Sequence, residues 1–166
     1  MTSKLLVLLR HAKSSWADPD LPDHDRPLNA RGRDAAALVG RHLRREGPPP
    51  DLVLCSSAVR TRQTLERLEL PNRVELVIED RLYGATAGSL LARIRQVSPD
   101  DGTVLVIAHN PGIEDLARML DRHGLAGVEK FPTAAVAVLR FAIDGWQEIE
   151  PGSGRVETIF TPRDLA

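Results

Sequence analysis

The sequence predicts an α/β fold of three layers, a mostly parallel central sheet with helices on both faces. Two observations carry this. Short apolar runs alternate with longer segments of helical spacing, the pattern left by crossover connections between parallel strands. The runs are also apolar at consecutive positions, as strands buried on both faces must be.

The expected strands cover residues 5–9, 52–55, 74–78 and 103–108, with a later β-type stretch at 135–141. The first helix is expected over 30–45, where Ala37, Leu38 and Leu43 recur among arginines, and it ends at Gly47 before Pro48, Pro49 and Pro50. Further helices are expected over 58–68, 88–97 and 113–123, the last stopped by Gly124. Residues 17–27, ADPDLPDHDRP, form the most loop-like internal stretch, and the tail after Pro151 reads as peripheral.

A chain of 166 residues with 42% apolar content fits one domain spanning 1–166. Lys and Arg total 22 against 23 for Asp and Glu, a formal charge of −1, so no global field favours nucleic acid or an anionic membrane. Any anion site must be local. The single Cys55 cannot form an internal disulfide, and the N-terminal apolar run is too short for a signal peptide or a membrane span. A cytoplasmic protein is expected. Cys55 closes an apolar run and reads as a small buried hydrophobe, with a reactive thiol as the alternative.

Three expected strands end in polar groups: Arg10-His11 after LLVLL, SSAVRTRQT (56–64) after LVLC, and His109-Asn110 after TVLVIA. In open α/β sheets ligands bind beyond the carboxyl ends of the strands. Taken singly, each has a bland explanation, such as a hydrogen-bonded structural histidine, or Ser57 capping the helix that follows. Together, two histidines and two arginines at one sheet edge would enclose a positive pocket. Arg60, in a helix's first turn, adds its guanidinium to free backbone N–H groups, which favours a phosphoryl group. A neutral imidazole can attack phosphorus and hold the phosphoryl group covalently, making His11 the candidate nucleophile. Arg10, Arg60 and a protonated His109 would stabilise the equatorial oxygens without a metal. No zinc-type or calcium-type motif is present in the sequence, and no cofactor is expected.

LLRHAKSSW, SSAVRTRQT and VIAHNPG together resemble the three signatures of the histidine phosphatase superfamily, the phosphoglycerate-mutase-like enzymes. Within it, the short length, RHAKSSW and HDRPLNARG are similar to the SixA-type branch of phosphohistidine phosphatases. The resemblance implies a phosphoglycerate-mutase-like fold, His11 as phosphoacceptor, and Arg10, Arg60 and His109 around the phosphate. Arg26 matches a motif of that branch and would reach the phosphate from its loop; alternatively it pairs locally with Asp23 or Asp25. His24 reads as solvated, His42 as a surface residue and His123 as a helix-end residue. Arg31, Arg33, Arg41, Arg44 and Arg45 read as a solvated helix face.

Larger relatives carry an acid after the third strand, which protonates the leaving oxygen. Registering Tyr83-Gly84-Ala85 on that pattern puts Asp80 at the acid position, with Glu79 one residue away and a surface pair with Arg81 as the plainer reading of Asp80. Without an acid, alkyl phosphates should hydrolyse poorly, while a phosphoramidate suffers less because its imidazole leaves readily once protonated. The expected function is therefore metal-independent phosphatase chemistry through a phosphohistidine at His11, removing the phosphoryl group from phosphohistidine in a protein, with inorganic phosphate as product. The rivals are a phosphatase for sugar phosphates or nucleotides, and a non-catalytic phosphate-binding module.

Overall fold

The computed structural model describes residues 2–166. Its six strands are β1 (Lys4–Arg10), β2 (Leu52–Ser56), β3 (Glu75–Glu79), β4 (Thr103–Ala108), β5 (Val136–Phe141) and β6 (Arg155–Phe160). The helices are α1 (Ala30–Glu46), α2 (Val59–Leu68), α3 (Ala87–Ile94), α4 (Gly112–Leu120) and the short α5 (Pro162–Leu165). The sheet order is β3-β2-β4-β1-β5-β6, with β1 to β4 mutually parallel, β5 antiparallel to β1, and β6 antiparallel to β5. The predicted three-layer α/β class is the one observed.

Alternation along the central strands sorts the core onto two faces. Leu6 and Leu8 of β1 join Leu54, Val104 and Val106 under α3 and α4. Val7 and Leu9 join Val53, Leu105 and Ile107 under α1 and α2. Since neither face of β1 or β4 meets water along its middle, residues 5–9 and 104–108 are apolar without a break. Each fully buried Leu or Val contributes roughly 1.5–3 kcal/mol by leaving water.

Three departures from the sequence reading have identifiable causes. The run at 74–78 is not buried on both faces, because β3 is an edge of the sheet and leaves Leu76 and Ile78 exposed. The tail after Pro151 is not peripheral, because β6 closes the sheet against β5 and α5 packs on α1. As an edge strand with several exposed side chains, RVETIF lacks the apolar run that marks the inner strands. Helix α4 stops at Leu120 rather than running to His123. There the buried Asp121 carboxylate accepts the backbone N–H groups of His123, Leu125 and Val156, diverting the chain into a turn tied to β6.

Helix α1 starts at the Asn29 N-cap, whose side chain accepts the Gly32 N–H at 2.8 Å. That end rests on the chain just after β1. The Asn29 N–H donates to the Lys13 carbonyl, and a Cβ on Gly32 would lie 2.0 Å from that same oxygen. Gly32→Ala should therefore destabilise the protein by about 1–3 kcal/mol, the scale of forced overpacking, although alanine is the better helix former. Urea unfolding of the two proteins checks this.

Candidate active site

The register of the sheet assembles the site. Arg10 pairs with Ala108 across the parallel β1–β4 ladder, so His11 and His109, each one residue further on, emerge side by side. Their ring centroids are 5.2 Å apart. On the other side of β4, Cys55 pairs with Ile107, so Ser56 reaches the same level, and its Oγ lies 2.7 Å from His109 Nε2. Arg60 follows in the first turn of α2. His11, Arg60 and His109 are 6%, 6% and 7% exposed, forming the floor of a recess at the carboxyl ends of the strands.

Backbone and side-chain bonds hold each floor residue. His11 Nδ1 donates to the Ala12 carbonyl at 2.6 Å, which places that ring's lone pair on Nε2. The Ala12 N–H donates to Thr64 Oγ1, and the Leu28 N–H to Gln63 Oε1, so Gln-Thr of the second motif fixes the chain around His11. Arg10 donates to the Phe131 carbonyl at 3.1 Å. The Ser56 hydroxyl accepts from the Ala58 N–H and shares a 2.7 Å hydrogen bond with His109 Nε2, which leaves Nδ1 as the open nitrogen of that ring. Arg10 Nε, Arg60 Nε and His109 Nδ1 are buried nitrogens without a protein partner. Two of them are guanidinium donors, and three unpartnered nitrogens on three floor residues suit an oxyanion.

The rim carries residues whose roles the sequence did not disclose. Asp23 accepts from Arg60 at 3.0 Å, from Arg26 at 3.2 Å and from the Tyr83 hydroxyl at 2.6 Å. Of the two carboxylates offered to Arg26, Asp23 is thus the partner, while the guanidinium also bonds Ser14 and stacks 3.6 Å from the Trp16 ring centroid. His24 is not merely solvated. Its Nε2 lies 2.9 Å from Ser57 Oγ and its ring meets Tyr83 edge-on at 4.8 Å. Ser57 consequently caps nothing, and α2 has no side-chain cap. His42 likewise packs edge-on against Phe160, 4.6 Å away.

Asp80 heads a short 3-10 turn after β3, exposed, and its carboxylate makes no hydrogen bond or ion pair among the described residues. Arg81 pairs with Glu79 instead, at 2.6 Å, and Arg93 reaches Glu79 at 2.8 Å. Partial burial works against ionisation of Glu79, but these two arginines outweigh it and hold its carboxyl below the usual range. Both arginines favour the ionised form of Glu79 over a protonated one. Among the described residues no group of three or more His, Cys, Asp and Glu side chains could hold a metal ion. Burial pushes the Cys55 thiol up to about 12, so it is an inert core residue. A separate cavity of about 320 Å³ lies at the opposite strand ends, near Val7, Pro49 and Leu105, and its lining has no histidine or carboxylate.

Burial, reinforced by Arg60, Arg10 and Arg26, pushes His11 down to about 4. Burial, then His11 and Arg60, pushes His109 down to about 3. Burial beside His11, Arg60 and Arg10 thus favours the neutral ring of His109 over the protonated one expected from the sequence. Both histidines bind protons in the unfolded chain near 6.5 but stay neutral when folded, so stability must fall as pH drops below 6.5 toward 4. At 1.36 kcal/mol per pH unit, each costs about 2–3 kcal/mol by pH 4.5. His109→Asn should flatten this decline, checked by urea unfolding at pH 7.0 and 4.5.

Comparison with known proteins identifies the family. An uncharacterized protein of Mycobacterium tuberculosis is 40% identical over 93% of this chain and 100% of its own. A protein of Nakamurella multipartitia, named as a candidate phosphohistidine phosphatase SixA, superposes with a TM-score of 0.87 at 32% identity, covering 98% of both chains. A similarly named Agrobacterium tumefaciens structure gives 0.80 at 30% identity over 96% of this chain and 98% of its own. The family model for the histidine phosphatase superfamily, branch 1, matches residues 6–90, which include His11, Arg26 and Arg60, and the chain belongs to that superfamily.

Proposed function

We propose that the protein is a phosphohistidine phosphatase that carries the phosphoryl group on His11 Nε2. The observation that carries this is the 2.6 Å bond from His11 Nδ1 to the Ala12 carbonyl, which leaves a neutral ring with its lone pair turned from the backbone, beside His109. Nε2 attacks phosphorus as the bond to the leaving nitrogen breaks, and the leaving imidazole keeps that electron pair. Arg10, Arg60 and His109, whose buried nitrogens lack protein partners, hold the phosphoryl oxygens. Arg26, buried and lowering the proton affinity of His11, adds positive charge from the loop side. Water then attacks the phosphorylated His11. The P–N bond breaks, His11 regains its lone pair with Nδ1–H still on Ala12, and the water protons leave with inorganic phosphate.

Phosphohistidine is favoured over an alkyl ester by what the leaving group needs. An alkoxide requires a proton donor. Glu79 is tied to two arginines, which leaves Asp80 as the remaining acid candidate of its segment, exposed and unbonded to the floor residues. A phosphoimidazole leaves without such help once its ring is protonated. The relatives named for SixA support the same substrate, and no helix among the described residues is long and apolar enough to cross a membrane. A cytoplasmic phosphoprotein is the proposed partner.

The test is kcat/KM on a phosphohistidine peptide, an aryl phosphate, an alkyl phosphate and a sugar phosphate, for wild type and Asp80→Asn. Wild type should turn over the peptide and the aryl ester, with the alkyl and sugar phosphates slower by about 10²-fold or more, the scale of missing acid catalysis. Asp80→Asn should leave all four rates close to those of wild type, whereas a selective loss on the alkyl and sugar phosphates would make Asp80 their general acid. Fastest turnover of sugar phosphates would replace this substrate with a small molecule, and absence of turnover on the aryl ester would point to a binding module.

A further inference from the structure

Asp23 is the carboxylate bound directly to the arginine of the recess floor, and phosphoryl transfer through His11 gives it no task. Its side chain is half exposed, in a 3-10 turn spanning Asp23–Asp25 at the rim, while His11 and His109 lie at the floor. Arg60 holds it twice, donating to the Asp23 carbonyl at 2.7 Å and to Oδ2 at 3.0 Å. Tyr83 closes on Oδ2 from the opposite side, and its ring lies 5.5 Å from that of His109. The carboxylate is thus fixed in direction by three donors on three different segments.

In an in-line displacement the leaving group departs on the side of phosphorus away from the nucleophile. With His11 on the floor, that side is the mouth of the recess, where Asp23 stands with Tyr83, His24, Arg26 and Ser57. The groups nearest Asp23 that carry or change charge are Arg60, Arg26 and Tyr83, with His24 and Asp25 beside it on its own turn. The Tyr83 bond first, then Arg60 and Arg26, holds the Asp23 carboxyl well below the usual carboxylate range. It therefore accepts a proton-bearing group and supplies none.

We propose that Asp23 is the specificity residue that selects a protonated imidazole as leaving group. It accepts the N–H on the ring nitrogen that does not bear phosphorus. This rests on the reading of the substrate as phosphohistidine and adds which residue enforces it. The reactive substrate is the ring-protonated form. As the P–N bond breaks, its electron pair returns to the ring nitrogen, the ring keeps the proton facing Asp23 and leaves neutral, and His11 takes the phosphoryl group and the positive charge. No proton crosses to the protein. A carboxylate at that spot favours the protonated ring over the unprotonated one, which would have to leave as an anion. For an ester it offers an alkoxide only repulsion.

The experiment compares wild type, Asp23→Asn and Asp23→Glu on a phosphohistidine peptide and on 4-nitrophenyl phosphate, whose leaving group needs no proton, with inhibition by inorganic phosphate alongside. Asp23→Asn should lower kcat/KM on the peptide by about 10- to 100-fold, as expected for losing a hydrogen bond to a charged group. The aryl ester should lose far less, and phosphate should inhibit more tightly because a negative charge beside Arg60 is gone. Asp23→Glu should recover part of the peptide rate. Parallel losses on both substrates with weaker phosphate inhibition would overturn the proposal and reduce Asp23 to a positioning residue for Arg60. A wild type inert to the peptide but active on sugar phosphates would instead remove the substrate reading itself, a different and recognisable result.

Discussion

The parallel pairing of β1 with β4 is the constraint on which the site depends. Two strands from distant parts of the chain, held in one register with Arg10 opposite Ala108, put His11 and His109 at the same height on neighbouring strands. A slip of one residue would turn one of the two rings to the other face of the sheet. The register is strongly specified because both strands are buried on both faces, so a slip would expose no compensating polar face and would misplace every side chain of two core layers. The uninterrupted apolar character of LLVLL and TVLVIA thus fixes the histidines indirectly, through the packing of α1 and α2 on one side and α3 and α4 on the other.

Much of this was legible in the sequence because the inner strands announce themselves by composition and the polar residues follow them directly. His11, Arg60 and His109 occupy strand ends or the turn after one, where local sequence and spatial position coincide. What escaped was the rim. Asp23 meets Arg60 37 positions away and Tyr83 60 positions away, and nothing near DHD signals either partner. Ser57 looked like a cap because serine before a helix usually is one, yet its hydroxyl serves His24 across the recess. The charge state of His109 escaped for a different reason. It depends on burial beside Arg60 and His11, a property of the assembled pocket and not of any motif. Edge strand β6 was missed because one-sided exposure erased the apolar run that betrayed the others.

The electrostatics of the recess follow from this division. At the floor, two neutral histidines and two arginines form a cationic surface in which one ring has a free lone pair. At the rim, an ionised carboxylate offsets part of that charge without touching the orphaned floor nitrogens. A single positive site would bind any phosphate. A positive floor under a negative rim discriminates by what the phosphorus is attached to, favouring a substrate that is anionic at one end and cationic at the other. Phosphohistidine, once its ring is protonated, has that polarity within a single bond.

The measurement that bears most directly on this account is the location of the phosphoryl group during turnover. Rapid mixing with a phosphohistidine peptide, quenching in base where phosphohistidine survives, and peptide mapping by mass spectrometry should find the modification on His11, and His11→Asn should abolish it. Phosphorylation of His109, or sustained turnover by His11→Asn, would contradict the account.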